Sequence, residues 1–197
     1  GVPTVRTVRL ATPDDATALA AIYAQYIPLP VSFEYTAPDA SEFQKRIEAI
    51  YCDYPYLVCV DNGTPIAYAY AHKYKERAAY QWDAELSVYL DPARTAKGLG
   101  RIMCRTLLDI LTVQGVRNVY SLIVDSNERS KHLHLKLGFV PVAVYKNTGF
   151  KNGRWLDIAC YEKQLNTYDV PPKPVIPVRD LDKDVLSKIL SWYINAC

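Results

Sequence analysis

The chain has 197 residues, half of them apolar and 22% charged, which suits one packed domain with an appendage and excludes wholesale disorder. Lys plus Arg is 23 against 21 for Asp plus Glu, a net +2. No global basic field therefore singles out nucleic acid as the partner, and no apolar run approaches the roughly 20 residues of a membrane span.

Alternation over residues 4–10 predicts a first strand. Thr12-Pro13-Asp14-Asp15 reads as an N-cap with Pro at the first helical position, opening a helix to about Tyr26. The Pro-rich, aromatic stretch 28–38 predicts a loop, and Asp39 with Glu42 resembles a capping box for a second helix to about Ile50. Strands are expected at 56–60 and 65–72, joined by Asp61-Asn62-Gly63, a hairpin signal. A charged link at 73–77 precedes a longer strand at 80–90. Residues 92–97 predict a loop leading through Gly98 and Gly100 into a helix. Its stripe is Leu99, Ile102, Met103, Leu107 and Ile110, and Gly115 ends it. A strand at 119–124, a short helix at 127–137 closed by Gly138, and strands at 139–146 and 155–162 follow, with a turn region at Gly149 and Gly153.

The tail differs. Pro171, Pro172, Pro174 and Pro177 predict a stiff strap. From Asp180 the residues Leu181, Val185, Leu186, Ile189, Leu190, Tyr193 and Ile194 recur at helical spacing and must bury their stripe on this subunit or another. The expected organisation is a domain at 1–165, a strap at 166–179 and a helical extension at 180–197.

Cys52, Cys59, Cys104, Cys160 and Cys197 are irregularly spaced and form no C-x-x-C pair, which predicts reduced thiols in a cytoplasmic setting and no zinc site. The chain starts Gly1-Val2-Pro3 with no apolar leader, so no secretory signal is expected. His72, His132 and His134 show no metal-ligand spacing, since 132 and 134 point different ways from one helix.

Two places suggest chemistry. In Lys97-Gly98-Leu99-Gly100-Arg101 the glycines permit close backbone approach, a helix N-terminus favours anions, and the flanking cations add charge. A diphosphate fits there, as does a plain tight turn. Glu85 lies within the apolar, aromatic strand Tyr80-Gln81-Trp82-Asp83-Ala84-Glu85-Leu86-Ser87-Val88-Tyr89, where a carboxylate is either edge-exposed or part of a site. Asp83, two residues earlier on the same face, is the rival base.

The element order, the G-x-G loop after the fourth strand, and Asn127, His134 and Gly138-Phe139 after the fifth resemble the GNAT N-acetyltransferase superfamily. Several segments are similar to the phosphinothricin N-acetyltransferases. They are Arg77-Ala78-Ala79-Tyr80-Gln81-Trp82-Asp83-Ala84-Glu85, Ser87-Val88-Tyr89, the loop glycines, Gly149-Phe150-Lys151-Asn152-Gly153 with Trp155 and Asp157, and Pro171-Pro172-Lys173-Pro174-Val175. The likeness spans about residues 4–178, and it departs from the usual pattern at Thr95 and Ala96.

This resemblance implies an α/β (α+β) fold: a mixed central sheet flanked by helices, with splayed fourth and fifth strands between which acetyl-CoA inserts. It implies Glu85 as general base and His134 as the group that protonates the leaving thiolate or orders water. Val88, Tyr89 and Leu90 become backbone partners of pantetheine. Ala96, Lys97, Gly98, Leu99, Gly100 and Arg101 become the diphosphate loop. Asn127 bonds the pantetheine amides or caps its helix, and Lys136 meets a cofactor phosphate. Arg77 holds the acceptor's carboxylate, Phe33 and Tyr35 wall the acceptor pocket, and Trp155 and Asp157 lie nearby.

The implied activity is acetyl transfer from acetyl-CoA to the α-amine of a small amino acid or analogue, of the phosphinothricin or methionine sulfone/sulfoximine type, without a metal. The expected partners are this small amine and a second copy of the chain; nucleic acid and membrane are not expected. Another amine, such as a polyamine or a protein N-terminus, is one alternative. A non-catalytic acetyl-CoA-binding module is the other.

Overall fold

The computed structural model describes residues 5–94 and 97–196. Its strands are β1 (Arg6–Leu10), β2 (Tyr56–Asp61), β3 (Thr64–Lys73), β4 (Asp83–Leu90), β5 (Asn118–Val124), β6 (Val140–Lys151) and β7 (Arg154–Gln164). Its helices are α1 (Ala16–Ala24), α2 (Ala40–Glu48), α3 (Leu99–Gln114), α4 (Glu128–Lys136) and α5 (Lys183–Asn195). The strands form one sheet in the order β1-β2-β3-β4-β5-β7-β6. Every neighbouring pair is antiparallel except β4 and β5. That parallel step needs a crossover, and α3 supplies it.

Local chemistry accounts for the ends of the elements. Asp39 caps α2 through the Glu42 N–H (2.8 Å). The hairpin turn between β2 and β3 puts Asn62 and Gly63 at φ 50° and 85°, the mirror-image turn that matches strand twist. The β6–β7 hairpin turns the same way at Asn152 and Gly153, φ 53° and 77°. Gly149, expected in that turn, lies inside β6 beside a register shift. A Cβ there would meet the Phe33 ring at 2.3 Å, so this glycine admits the 28–38 loop rather than a turn. Residues 78–80 form a single 3-10 turn and β4 begins only at Asp83. The tail helix likewise starts at Lys183, where Asp182 accepts from the N–H groups of Asp184 and Val185.

The alternation of each strand sorts two cores. Leu57, Ala69, Leu86 and Val119 face α3 with Met103, Leu107 and Leu111. Tyr56, Val58 and Tyr68 face α1 and α2 with Leu19, Ile22, Phe43 and Ile47. Beyond β4, the second face carries, among the described residues, a small buried cluster of Val124, Leu156 and Ile158, and Leu122 is 44% exposed. The tail closes on its own chain: Leu186, Ile189, Leu190 and Ile194 pack against the first core, and the Tyr193 hydroxyl donates to Asp109 (2.8 Å).

β4 and β5 pair over three positions only: Asp83 with Asn118, Ala84 with Val119, and Glu85 with Tyr120. Past Glu85, β4 pairs with β3 alone and β5 with β7 alone. This is the splay expected from the resemblance.

Candidate active site

Glu85 is the last residue of β4 still paired to β5. Its register partner across β3 is His72, and the His72 Nε2 lies 2.8 Å from Oε2 of Glu85. Both side chains are partly sheltered, 35% and 20% exposed. The His72 Nδ1 donates to the Lys73 carbonyl (2.7 Å). Burial opposes the charge on His72, but the hydrogen bond and charge of Glu85, with the Lys73 carbonyl, outweigh it and raise the imidazole above its ordinary value. Asp83, the rival base, is engaged otherwise: it accepts from the Asn118 amide (3.2 Å), and burial raises its carboxyl.

His72 also forms one wall of a cavity of about 280 Å³ lined with Tyr23, Tyr56 and Tyr70. On the wall of this cavity Arg46 grips both oxygens of Glu34 (2.6 and 2.9 Å). That hydrogen-bonded guanidinium holds the Glu34 carboxyl below the usual range. Spacing along the sequence gave no reason to select His72. Its pairing arises from the β3–β4 register, and the long connection at 74–82 hides that register from a sequence reading.

The backbone of β4 alternates between two directions. The Asp91 N–H bonds the Ile66 carbonyl on β3 (2.8 Å), and the Trp82 carbonyl accepts from the Arg117 N–H beside β5 (2.8 Å). In a regular antiparallel ladder Asp83, Glu85, Ser87 and Tyr89 therefore turn their N–H and C=O groups to β3, and Ala84, Leu86, Val88 and Leu90 turn theirs the other way. Past Glu85 that direction is the splay. Val88 and Leu90 fit the expected backbone role. Tyr89 does not: its backbone belongs to the β3 ladder, and its ring packs on Tyr23, Tyr26 and Tyr68 at 5.1–5.3 Å between centroids. The Leu90 carbonyl already accepts from the Tyr26 hydroxyl, so what Leu90 has left for the gap is its N–H. Leu86, which the sequence did not single out, closes the ladder: in the parallel pairing of Glu85 with Tyr120 its N–H goes to the Tyr120 carbonyl, so Val88 is the first residue past the base with both backbone groups directed into the gap.

At the mouth of the gap, Gly98 takes φ +80° as the N-cap of α3, with open space where a Cβ would stand. Lys97 and Arg101 are exposed beside it. Leu99 is 1% exposed in the core, which leaves its backbone as what it can offer a ligand. The orphan N–H groups of the first turn of α3 favour an anion here. Ala96 lies outside the described residues, as does Thr95. Asn127 caps α4 through the Ser130 N–H (3.2 Å).

His134 sits in the core at 1% exposure, edge-on to Phe139. Its Nδ1 donates to the Ser130 carbonyl (2.7 Å), its Nε2 has no partner, and burial lowers its basicity. The proton is therefore on Nδ1 and the Nε2 lone pair is bare. In this state the imidazole accepts at Nε2 and has no proton there to give a thiolate. Lys136 lines a separate cleft with Arg105, Asp109, Lys163 and Tyr193.

The residues expected around the acceptor come from distant segments. The Tyr35 hydroxyl donates to the Phe150 carbonyl (2.5 Å), and the Lys151 ammonium donates to Leu29 (2.8 Å) and Ser32 carbonyls. Phe33 and Tyr35 thus belong to a loop tied to the β6–β7 hairpin. Asp157 accepts from the Asn147 N–H (2.8 Å) and Lys146 (3.3 Å), which holds the β6 irregularity, and Trp155 is exposed against Phe150. Arg77 is exposed at the start of the 3-10 turn leading into β4.

This arrangement combines a carboxylate at the parting of two strands, unpaired backbone in the gap and an anion-favouring helix start. Residues 8–160 match the family model described as an acetyltransferase (GNAT) domain. The chain is 37% identical over 166 residues to a phosphinothricin N-acetyltransferase of Alcaligenes faecalis, covering 83% of this chain and 84% of that one. It is 35% identical over 118 residues to an L-methionine sulfoximine/L-methionine sulfone acetyltransferase of Salmonella typhimurium, covering 60% and 69%. The crystal structure of a GNAT superfamily phosphinothricin acetyltransferase from Sinorhizobium meliloti in complex with acetyl-CoA superposes with a TM-score of 0.80 at 35% identity, over 86% and 93% of the chains. With the splayed sheet and the family match extending over most of its length, the chain belongs to the GNAT acetyltransferases.

Proposed function

We propose that the protein moves an acetyl group from acetyl-CoA to the α-amine of a small amino acid or analogue of the phosphinothricin or methionine sulfone/sulfoximine type. The observation that carries this is the position of Glu85, a sheltered carboxylate at the point where β4 and β5 part. The similar proteins from Alcaligenes and Salmonella act on amines of this kind by name, and the Sinorhizobium structure holds acetyl-CoA.

The carbonyl of Leu86, the open backbone of Val88 and the N–H of Leu90 hold pantetheine as an added strand. The loop at 97–101, with the backbone of Leu99, holds the diphosphate, and Asn127 bonds the pantetheine amides. When bound, acetyl-CoA supplies the activated thioester. Glu85 takes the surplus proton of the acceptor's ammonium, directly or through water, and so frees the nitrogen lone pair for attack. The Val88 N–H is the first unpaired donor past the base directed to the gap, placed to meet developing negative charge. His134, with a bare Nε2, orders water by accepting a hydrogen bond. Arg77 offers a fork donor to the acceptor's carboxylate, and Phe33 and Tyr35 enclose its side chain.

The proposal includes a cytoplasmic setting, in keeping with the free thiols Cys52, Cys59, Cys104 and Cys160; no helix among the described residues is long and apolar enough to cross a membrane. It also includes a homodimer, on new grounds. The stripe of α5 is already partly covered at home, with only Val185 left 40% exposed, whereas Val140, Val142 and Val144 on the edge strand β6 are 54%, 48% and 46% exposed. The test of function is thiol release from acetyl-CoA across a panel of amino acids and analogues, run beside Glu85→Gln and Asp83→Asn. Turnover confined to other amines overturns the acceptor class. Loss in Asp83→Asn with retention in Glu85→Gln overturns the base.

A further inference from the structure

The contact between His72 and Glu85 has a definite proton inventory. The Lys73 carbonyl can only accept, so the Nδ1 of His72 carries a proton. At 2.8 Å the Nε2 and Oε2 need a second proton between them, because two facing lone pairs repel. Whichever atom holds that proton, the pair is neutral as a whole. We infer that His72 is the positioning residue of the base, and that the two side chains form one proton acceptor: with the bridge empty, the neutral imidazole and ionised carboxylate take up the proton of the acceptor's ammonium and lodge it between Nε2 and Oε2. This rests on Glu85 being the base, as proposed above.

The step balances. An ammonium N–H bond breaks, its electron pair stays on nitrogen, and a new bond forms to the dyad. Charges of +1 and −1 become two neutral partners. The bridging proton leaves to solvent before the next turnover.

The gain is in matching. A lone glutamate with an ordinary value near 4.3 is a poor base for an ammonium near 9–10, and coupling it to an imidazole near 6.5 narrows the gap by about two units. The surroundings favour a protonated His72 only through Glu85 and nearby groups. Lys73 and Glu76 pair with each other at 3.9 Å on one side. Across the cavity Arg46 and Glu34 neutralise each other, with Tyr23, Tyr56 and Tyr70 between. Glu85 in turn raises Tyr70, Tyr74 and Cys160, and Tyr120 is its register partner on β5.

The experiment is the pH profile of kcat/KM for an amino-acid acceptor in the wild type, His72→Gln and Glu85→Gln, with an NMR titration of the His72 imidazole. The wild type is expected to lose activity on acidification with a midpoint that coincides with the His72 titration, above about 6.5. His72→Gln keeps an amide N–H for Oε2 but cannot titrate. Its acid limb is expected to fall by about two pH units, and its plateau by about tenfold. In Glu85→Gln the His72 titration is expected to move down. Glu85→Gln inactive with an unmoved limb in His72→Gln overturns the dyad and leaves the base assignment standing. Full turnover in Glu85→Gln overturns the base assignment itself. If His72→Gln fails to fold, the wild-type titration decides: a His72 midpoint at or below 6.5, or one apart from the activity limb, overturns the dyad.

Discussion

The two ends of β4 are built to opposite purposes. Its first end is fastened: the Trp82 indole donates to the Lys173 carbonyl (2.8 Å), Tyr168 donates to Asn118 (2.7 Å), and Arg117 pairs with Asp169 (2.5 Å). The Pro-rich strap makes all three contacts, and it closes β4 against β5 where they still share a ladder. The other end, from Leu86 to Leu90, has no such fastening and turns alternate backbone groups into a gap. An unpaired backbone inside a protein is costly unless something fills it. The contrast therefore says where a ligand belongs, and Glu85 stands at the border between the two ends.

The comparison can be broken most directly at that border. Glu85→Gln is expected to lower kcat by about 10²–10⁴ with acetyl-CoA binding retained, which steady-state kinetics and calorimetry measure together. At the fastened end, Asp169→Ala leaves the guanidinium of Arg117, 8% exposed, without its partner. A clear drop in Tm is expected. Arg179→Ala serves as the control, since its pair with Asp53 is 55% and 56% exposed and its loss is expected to leave Tm unchanged.

At the mouth of the open end, Gly98→Ala must adopt the left-handed region at a cost of about 1 kcal/mol. It is expected to raise KM for acetyl-CoA about fivefold with little change in kcat. The smallest effect concerns His134. Burial lowers its basicity, so the unfolded chain binds the proton more readily. The stability this neutral histidine contributes is full above about pH 6.5 and is lost as pH falls below it. Denaturation of His134→Gln across pH is expected to lack that acid-side loss. His72, raised by its partner, works in the opposite sense: its contribution is full below about pH 6.5 and is lost as pH rises through its folded value.

Most of the fold was legible because its signals are local. Asn62-Gly63 marks its turn through two positive φ values, Asp39 marks a helix start through one hydrogen bond, and the stripe of α3 repeats within four residues. The sequence failed where a local cue had a distant cause. Gly149 looks like a turn residue, yet its missing side chain makes room for Phe33, more than 100 positions earlier in the chain. For His134, four residues before a glycine, the sequence leaves two roles open, proton donor and water-ordering group, and only packing against Phe139 with the Ser130 hydrogen bond shows which nitrogen is bare.

By itself the sequence determined the elements and their order, since turn chemistry, capping and hydrophobic period act within a few residues; Glu85 as candidate base came with the family resemblance. Tertiary structure alone decided which residues face one another. The pairing of His72 with Glu85, the direction of each β4 backbone group and the packing of the α5 stripe on its own chain follow from strand register and long-range packing. Register across an irregular connection such as 74–82 is set by the sum of many sheet and core contacts, and no local residue pattern encodes that sum.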